Sequence, residues 1–183
     1  MKVFKFIFVF FLFLNLSAIG QESDSNILKS KIEILYKNHN IGNINKLIHE
    51  NHSLDSEFVF EVLNRNLEYS LKQKNEKDLA DTYNALGNFW NLQANKIKAF
   101  ENYLHSETTS RKIHDKKMLA VALMNKSSLL DDKQERIKTL QEAAQLFIEK
   151  KDTLNLIKVY LNIGVTYSQL YEEANNSVYR LSQ

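Results

Sequence analysis

Cysteine and proline are both missing from this 183-residue chain, and glycine occurs only four times. Without cysteine there is no disulfide framework, no thiolate metal site and no thiol nucleophile. Without proline, and with so little glycine, the strongest interrupters of a helix interior are nearly gone. Sustained apolar/polar alternation, the pattern of a half-buried strand, is also lacking. What is abundant is Leu, Ile, Lys, Glu and Asn, and this composition predicts an all-α fold. The length is that of one domain and suffices for a sizeable core, which packing alone must hold together.

A surplus of one charge is missing as well. The formal net charge is +2, but Lys2 and Lys5 fall in a segment expected to be removed. Without them 22 basic residues face 22 acidic ones. Nucleic-acid binding depends on Lys and Arg neutralising phosphates, so this balance argues against it.

The segment in question is residues 1–20. Met1-Lys2-Val3-Phe4-Lys5 is a short basic start, and Phe6 to Leu14 is an unbroken apolar run of nine residues, five of them Phe. Ala18 and Gly20 place small residues at −3 and −1 of a cleavage point before Gln21. Together these read as a secretory signal peptide. The competing reading is an uncleaved anchor, but a spanning helix needs about 20 apolar residues. The expectation is therefore export, to the periplasm or the outside, with no membrane span in the mature chain unless the signal segment is retained.

After Gln21 the periodicity is helical. Asp24 or Ser25 can cap a helix carrying Leu28, Ile32 and Leu35. Asn38 to Gly42 offers residues that tolerate a left-handed stop. Ile41, Ile44, Leu47 and Ile48 form a short amphipathic helix. Val59, Leu63, Leu67 and Leu71 form a longer one, capped by Ser53 or Asp55. Residues 21–76 thus read as degenerate N-terminal helices, a leading repeat.

From residue 77 one stretch recurs. Leu79 to Trp90 returns as Leu119 to Leu130 and again as Leu156 to Tyr167, at spacings of 40 and 37. Tyr83-x-x-Leu86-Gly87-x-x-Trp90 and Tyr160-x-x-Ile163-Gly164-x-x-Tyr167 resemble the first helix of the tetratricopeptide repeat. Ala99 and Tyr103 match the small-then-aromatic pattern of its second helix. The resemblance implies a right-handed superhelical solenoid of antiparallel helix pairs, with repeats at about 77–116, 117–152 and 153–183. It implies that Gly87 and Gly164 sit where two helices approach most closely. Tyr83, Trp90, Tyr160 and Tyr167 would then fill holes between helix pairs. Ile137, Leu140, Ala144, Phe147 and Ile148 should form the core face of the middle repeat's second helix.

The chain departs from the family pattern in places. Lys126 stands where Leu is expected and Ser127 where Gly is expected, and the usual closing proline is absent. Ala174 follows Gly164 by ten residues rather than twelve, so the last repeat should turn early into a short second helix. The spacings exceed the family's usual 34, which predicts a second helix longer by about a turn.

The concave groove implied by the resemblance is lined by the first helix of each repeat. Its residues are Asp81, Asn84, Asn88 and Asn91, then Val121, Met124, Ser128 and Asp131, then Lys158, Leu161, Val165 and Gln169. This mixed, largely neutral surface suits a peptide or protein partner. Asn88, Asn125 and Lys158 also fall on three positions of the family's carboxylate clamp, but Asn84 and Asn162 stand where that clamp has cations. Most of the charge that would hold a carboxylate is thereby missing.

His49 and His52 are spaced to meet on one helix face, near His39, yet no third strong ligand follows. His105 and His114 should cap helices or face water. No nucleophile–base pair, phosphate loop or paired-carboxylate arrangement occurs at a telling spacing; Asp131-Asp132 reads as an interhelical turn. No enzyme, cofactor or metal is expected. The function expected is an exported protein–protein interaction module and scaffold. The alternative is the sensory part of a signal-transduction histidine kinase or DNA-binding regulator, which a leader followed by long repeats also resembles.

Overall fold

The computed structural model describes residues 26–51 and 54–181, with side chains up to 176. The leader at 1–20, the caps Asp24, Ser25 and Ser53, and His52 lie outside the described residues. Among the described residues every element is a helix. These are α1 (residues 26–37), α2 (Ile41–Glu50), α3 (Ser56–Gln73), α4 (Glu76–Leu92), α5 (Lys96–Lys112), α6 (Lys116–Ser127), α7 (Lys133–Glu149) and α8 (Thr153–Leu181). The chain divides into two compact units at Val62/Leu63, inside α3.

One kind of turn recurs along the chain. His39-Asn40, Lys74-Asn75, Ala94-Asn95, His114-Asp115 and Lys151-Asp152 each place a left-handed residue, φ 52–57°, before an Asn or Asp. The backbone N–H of that Asn or Asp donates to the carbonyl five residues back: Leu35, Ser70, Trp90, Ser110 and Phe147 respectively. This closes the preceding helix as a Schellman motif. The same residue's side chain then accepts an N–H three residues on, from Asn43, Asp78, Lys98, Met118 and Asn155. One residue therefore satisfies orphan groups of two helices. The turns need no glycine: Gly42 lies inside α2 with ordinary φ, and His39 takes the left-handed position.

In the first unit, Ile32, Tyr36, Ile41, Ile44, Leu54 and Val62 are buried. The Tyr36 hydroxyl donates to the Val62 carbonyl at 2.8 Å, and Lys29 lies 5.0 Å from the Phe58 ring centroid. Asp55 supplies the cap of α3, accepting from the N–H groups of Glu57 and Phe58.

In the second unit consecutive helices pack on one another from α4 to α8. Glu76, at the start of α4, meets Lys112, at the end of α5, so the two run antiparallel. Their closest approach is at Gly87. A Cβ there would lie 2.4 Å from Cδ1 and Cε1 of Tyr103, whose side chain is 2 % exposed. Ser106 donates to the Ala80 carbonyl nearby. The next layer is built by Leu119, Ala120 and Leu123 of α6, Leu140, Ala143, Ala144 and Phe147 of α7, and Val159 of α8. Ser127, in the expected glycine position, is 1 % exposed and turns its hydroxyl to the Met124 carbonyl.

Four expectations are corrected. Gly164 has nothing within 4 Å of its Cβ position, because α8 packs on its neighbours through Val159, on another side. Tyr160 and Tyr167 are accordingly 54 % and 52 % exposed rather than filling holes. Helix α8 runs unbroken from Thr153 to Leu181, so no turn interrupts it near Ala174. Ile148 is 48 % exposed, one step around α7 from the buried Phe147. On α4, Tyr83 stacks on His105 of α5 at 4.9 Å, which gives that histidine an aromatic neighbour. Trp90 contacts Phe89 edge-on and carries Lys98 over its face at 4.1 Å.

Gly87→Leu should lower the melting temperature sharply, since the Tyr103 ring has no room to retreat, whereas Gly164→Ala should not lower it. Equal responses in thermal unfolding would refute the close approach. Ala94→Gly should stabilise by about 1 kcal/mol, because an alanine at positive φ is strained where glycine is not. A lower denaturant midpoint would contradict this.

Candidate functional site

The expected groove residues lie on α4, α6 and α8 and at the turn after α6, and their side chains differ in what they are free to do. Asn84 is only 9 % exposed. Asn125 of α6 donates to its Oδ1 at 3.0 Å and to Asn88 Oδ1 at 3.3 Å. The Tyr103 hydroxyl also donates to Asn88 Oδ1, at 2.8 Å. Burial pushes that phenol up to about 12, so it stays a donor. Asn84 and Asn88 therefore bind α4 to α5 and α6 rather than facing a ligand. Asn125, which the clamp pattern had singled out, is the residue that joins the two first helices.

Met124 and Val121 are partly buried and pack against the α6/α7 core. Asp81 and Gln169 are half-buried, while Asn91, Ser128, Asp131 and Lys158 are exposed, as are Leu161 at 64 % and Val165 at 58 %. Ser128 turns its hydroxyl to the Asn125 carbonyl. Asp131 and Gln169 come together in a polar cleft of about 420 Å³, lined also by Lys133, Arg136, Glu172 and Asn176. There Lys133 pairs with Glu173 at 2.7 Å, and Arg136 reaches Gln169 at 3.4 Å and the Leu130 carbonyl.

A charged network across three helices escaped the sequence reading. Glu107 of α5 is 9 % exposed. It pairs with Lys126 of α6 and accepts from Arg111 Nε and Nη2 at 3.1 and 2.9 Å. Arg111 continues to Glu142 of α7 at 2.8 Å. Lys126, the departure from the repeat pattern, was the available signal: a cation at a core-edge position needs a buried anion near it. Burial pushes the Glu107 carboxyl up, but the hydrogen bonds and charges of Lys126 and Arg111 outweigh it and hold it below the ordinary glutamate value.

His49 is exposed near the end of α2, and His39 occupies the turn before it. Among the described residues no group of three or more His, Asp or Glu is arranged to hold a metal. Among them, too, no helix is long and apolar enough to cross a membrane. Compared with protein-family models and with curated proteins, the sequence matches none.

The sign of the Glu107 contribution follows from its lowered pKa. A carboxyl held below its unfolded value adds stability that is present above about pH 4.5 and is lost as pH falls through its folded value. Acid denaturation of the wild type should therefore include a component that Glu107→Gln removes. The variant should lose less stability between neutral pH and about pH 3, read as denaturant midpoints. Lys126→Leu should cost about 1–3 kcal/mol at pH 7, since it strips a partner from a buried carboxylate. An unchanged midpoint would argue against the network.

Proposed function

We propose that this chain is an exported protein–protein interaction module of the tetratricopeptide type, holding a peptide or protein segment on its concave side. In this reading α4/α5 and α6/α7 are successive repeats, α8 begins a third, and the stack is a right-handed superhelical solenoid. The leader directs it to the periplasm or beyond. The observation that carries the reading is Asn125 of α6 bonded to Asn84 and Asn88 of α4. First helices of adjacent pairs touch directly, which is how a repeat array forms one continuous inner surface. Gly87 beneath Tyr103 supports it further, because that pair occupies the repeat's signature positions.

The inner surface then presents Asn91, Ser128 and Asp131 as its exposed polar groups, with Val165 as an apolar one. This mostly neutral lining suits a peptide or protein segment, with no call for phosphate or nucleic acid.

The test is capture by the tagged chain from the exported fraction, followed by cross-linking. The double variant Asn91→Lys, Asp131→Lys should reduce capture at least about tenfold, equivalent to 1.4 kcal/mol, with an unchanged melting temperature. Full capture by that variant would exclude this face. Asn84→Ala is the contrasting control, expected to lower the melting temperature because it removes an interhelical acceptor.

A further inference from the structure

Helix α8 is apolar on two sides, and only one of them is covered. Val159, 0 % exposed, packs into the α6/α7 core, and Thr166, seven residues on along the same side, is 2 % exposed. On a different side Ile157, Tyr160, Leu161, Tyr167 and Tyr171 are each 52–69 % exposed. At 3.6 residues per turn they form a stripe spanning roughly a third of the helix circumference, with Gly164 near its centre. On α4 the equivalent glycine, Gly87, is filled by Tyr103 of the neighbouring helix, whereas above Gly164 there is open space.

The geometry points to a second copy of this chain as the occupant, with the two α8 helices crossing antiparallel about a two-fold axis near residues 165–166. The reason is that one register satisfies three requirements at once. Residue numbers that face each other across such an axis add to a constant, and neighbours lie on the same edge of the interface. Tyr167 of the second copy then falls over Gly164 and fills its hollow. Tyr160 lies beside Tyr171 of the second copy, giving an aromatic pair on one edge. On the opposite edge Lys158, six residues before Gly164, comes within one residue of Glu172 of the second copy, eight after it. Lys158 and Glu172 are both exposed, and each contact occurs twice by symmetry.

The stripe itself carries no charge, so pairing it with itself brings no like charges together. The five side chains offer on the order of 700 Å² per copy, close to the roughly 800 Å² that one partner gives a standard interface. The small residue at the crossing lets the two backbones approach, as Gly87 does within the α4/α5 pair. The isologous arrangement is also the commonest closed symmetry, leaving no further stripe exposed to build a chain of copies.

The experiment is sedimentation equilibrium of the purified full chain over about 1–100 µM, a range that brackets micromolar association. The expected result is a monomer–dimer equilibrium. Gly164→Gln should shift it to monomer by at least about tenfold in Kd. That site is open in the monomer and glutamine favours helix over glycine, so helicity and melting temperature should hold or rise. Lys158→Glu should weaken the dimer, and Lys158→Glu with Glu172→Lys should restore it, since swapping both signs recreates the pair.

A chain that stays monomeric at the highest concentration overturns the proposal and leaves the stripe to a helix of other origin. A dimer that ignores Gly164→Gln also overturns it, whether the association comes from the apolar leader or from another face.

Discussion

The second unit depends on how closely α5 approaches α4. An aromatic ring can lie flat on a helix backbone only where the underlying residue has no side chain, and Gly87 provides that one gap. Tyr103 fills it, and because the ring is seated there its hydroxyl arrives at Asn88 Oδ1. Asn88 is thereby positioned to accept from Asn125 of α6 as well. A steric allowance at one residue is thus passed on through two hydrogen bonds to the next helix pair. The cost of burying the phenol is offset by the acceptor, consistent with a pKa pushed to about 12.

Around that contact, the chain arranges its helices with a turn that is cheap in sequence. An Asn or Asp closes one helix with its backbone and opens the next with its side chain. Because the connections are short, neighbouring helices are antiparallel, and their apolar sides have no choice but to meet. The left-handed residue in each turn is His, Lys or Ala rather than glycine, a strain that the two flanking helices tolerate because both are satisfied at the junction. Short-range contacts of this kind favour rapid, local formation of helix pairs.

Polar groups divide between holding and presenting. Asn84, Asn88, Asn125 and Glu107 are drawn inward and matched with partners, as buried polar groups must be. Asn91, Ser128, Asp131 and Lys158 stay outside. The same division appears in α8 among apolar residues, where Val159 completes the α6/α7 core while Tyr160, one position along, faces outward. A helix greasy on two sides has one side to spare once a neighbour covers the other.

The amphipathic helical stretches, the Asp55 cap and the tight contact at Gly87 were legible in the sequence, whereas the unbroken run of α8 and the recurring Asn/Asp caps were not. The first repeat, expected to start at about 77, begins with α4 at Glu76, because periodicity is local. Gly164 shows where such legibility ends. It stands in the same Tyr-x-x-Leu/Ile-Gly-x-x-aromatic pattern as Gly87, yet nothing stands over it, since what covers a helix face is decided by another segment and not by the motif. Asn84 and Asn88 looked alike with Asn91, but only packing separates an asparagine with a partner from one facing water. The alphabet of helices and turns is therefore set by the sequence alone, through backbone propensity and side-chain caps acting within a few residues. Which faces are covered, and which charges meet across α5, α6 and α7, was settled only by the tertiary structure, because burial and electrostatic pairing depend on residues brought together from distant parts of the chain.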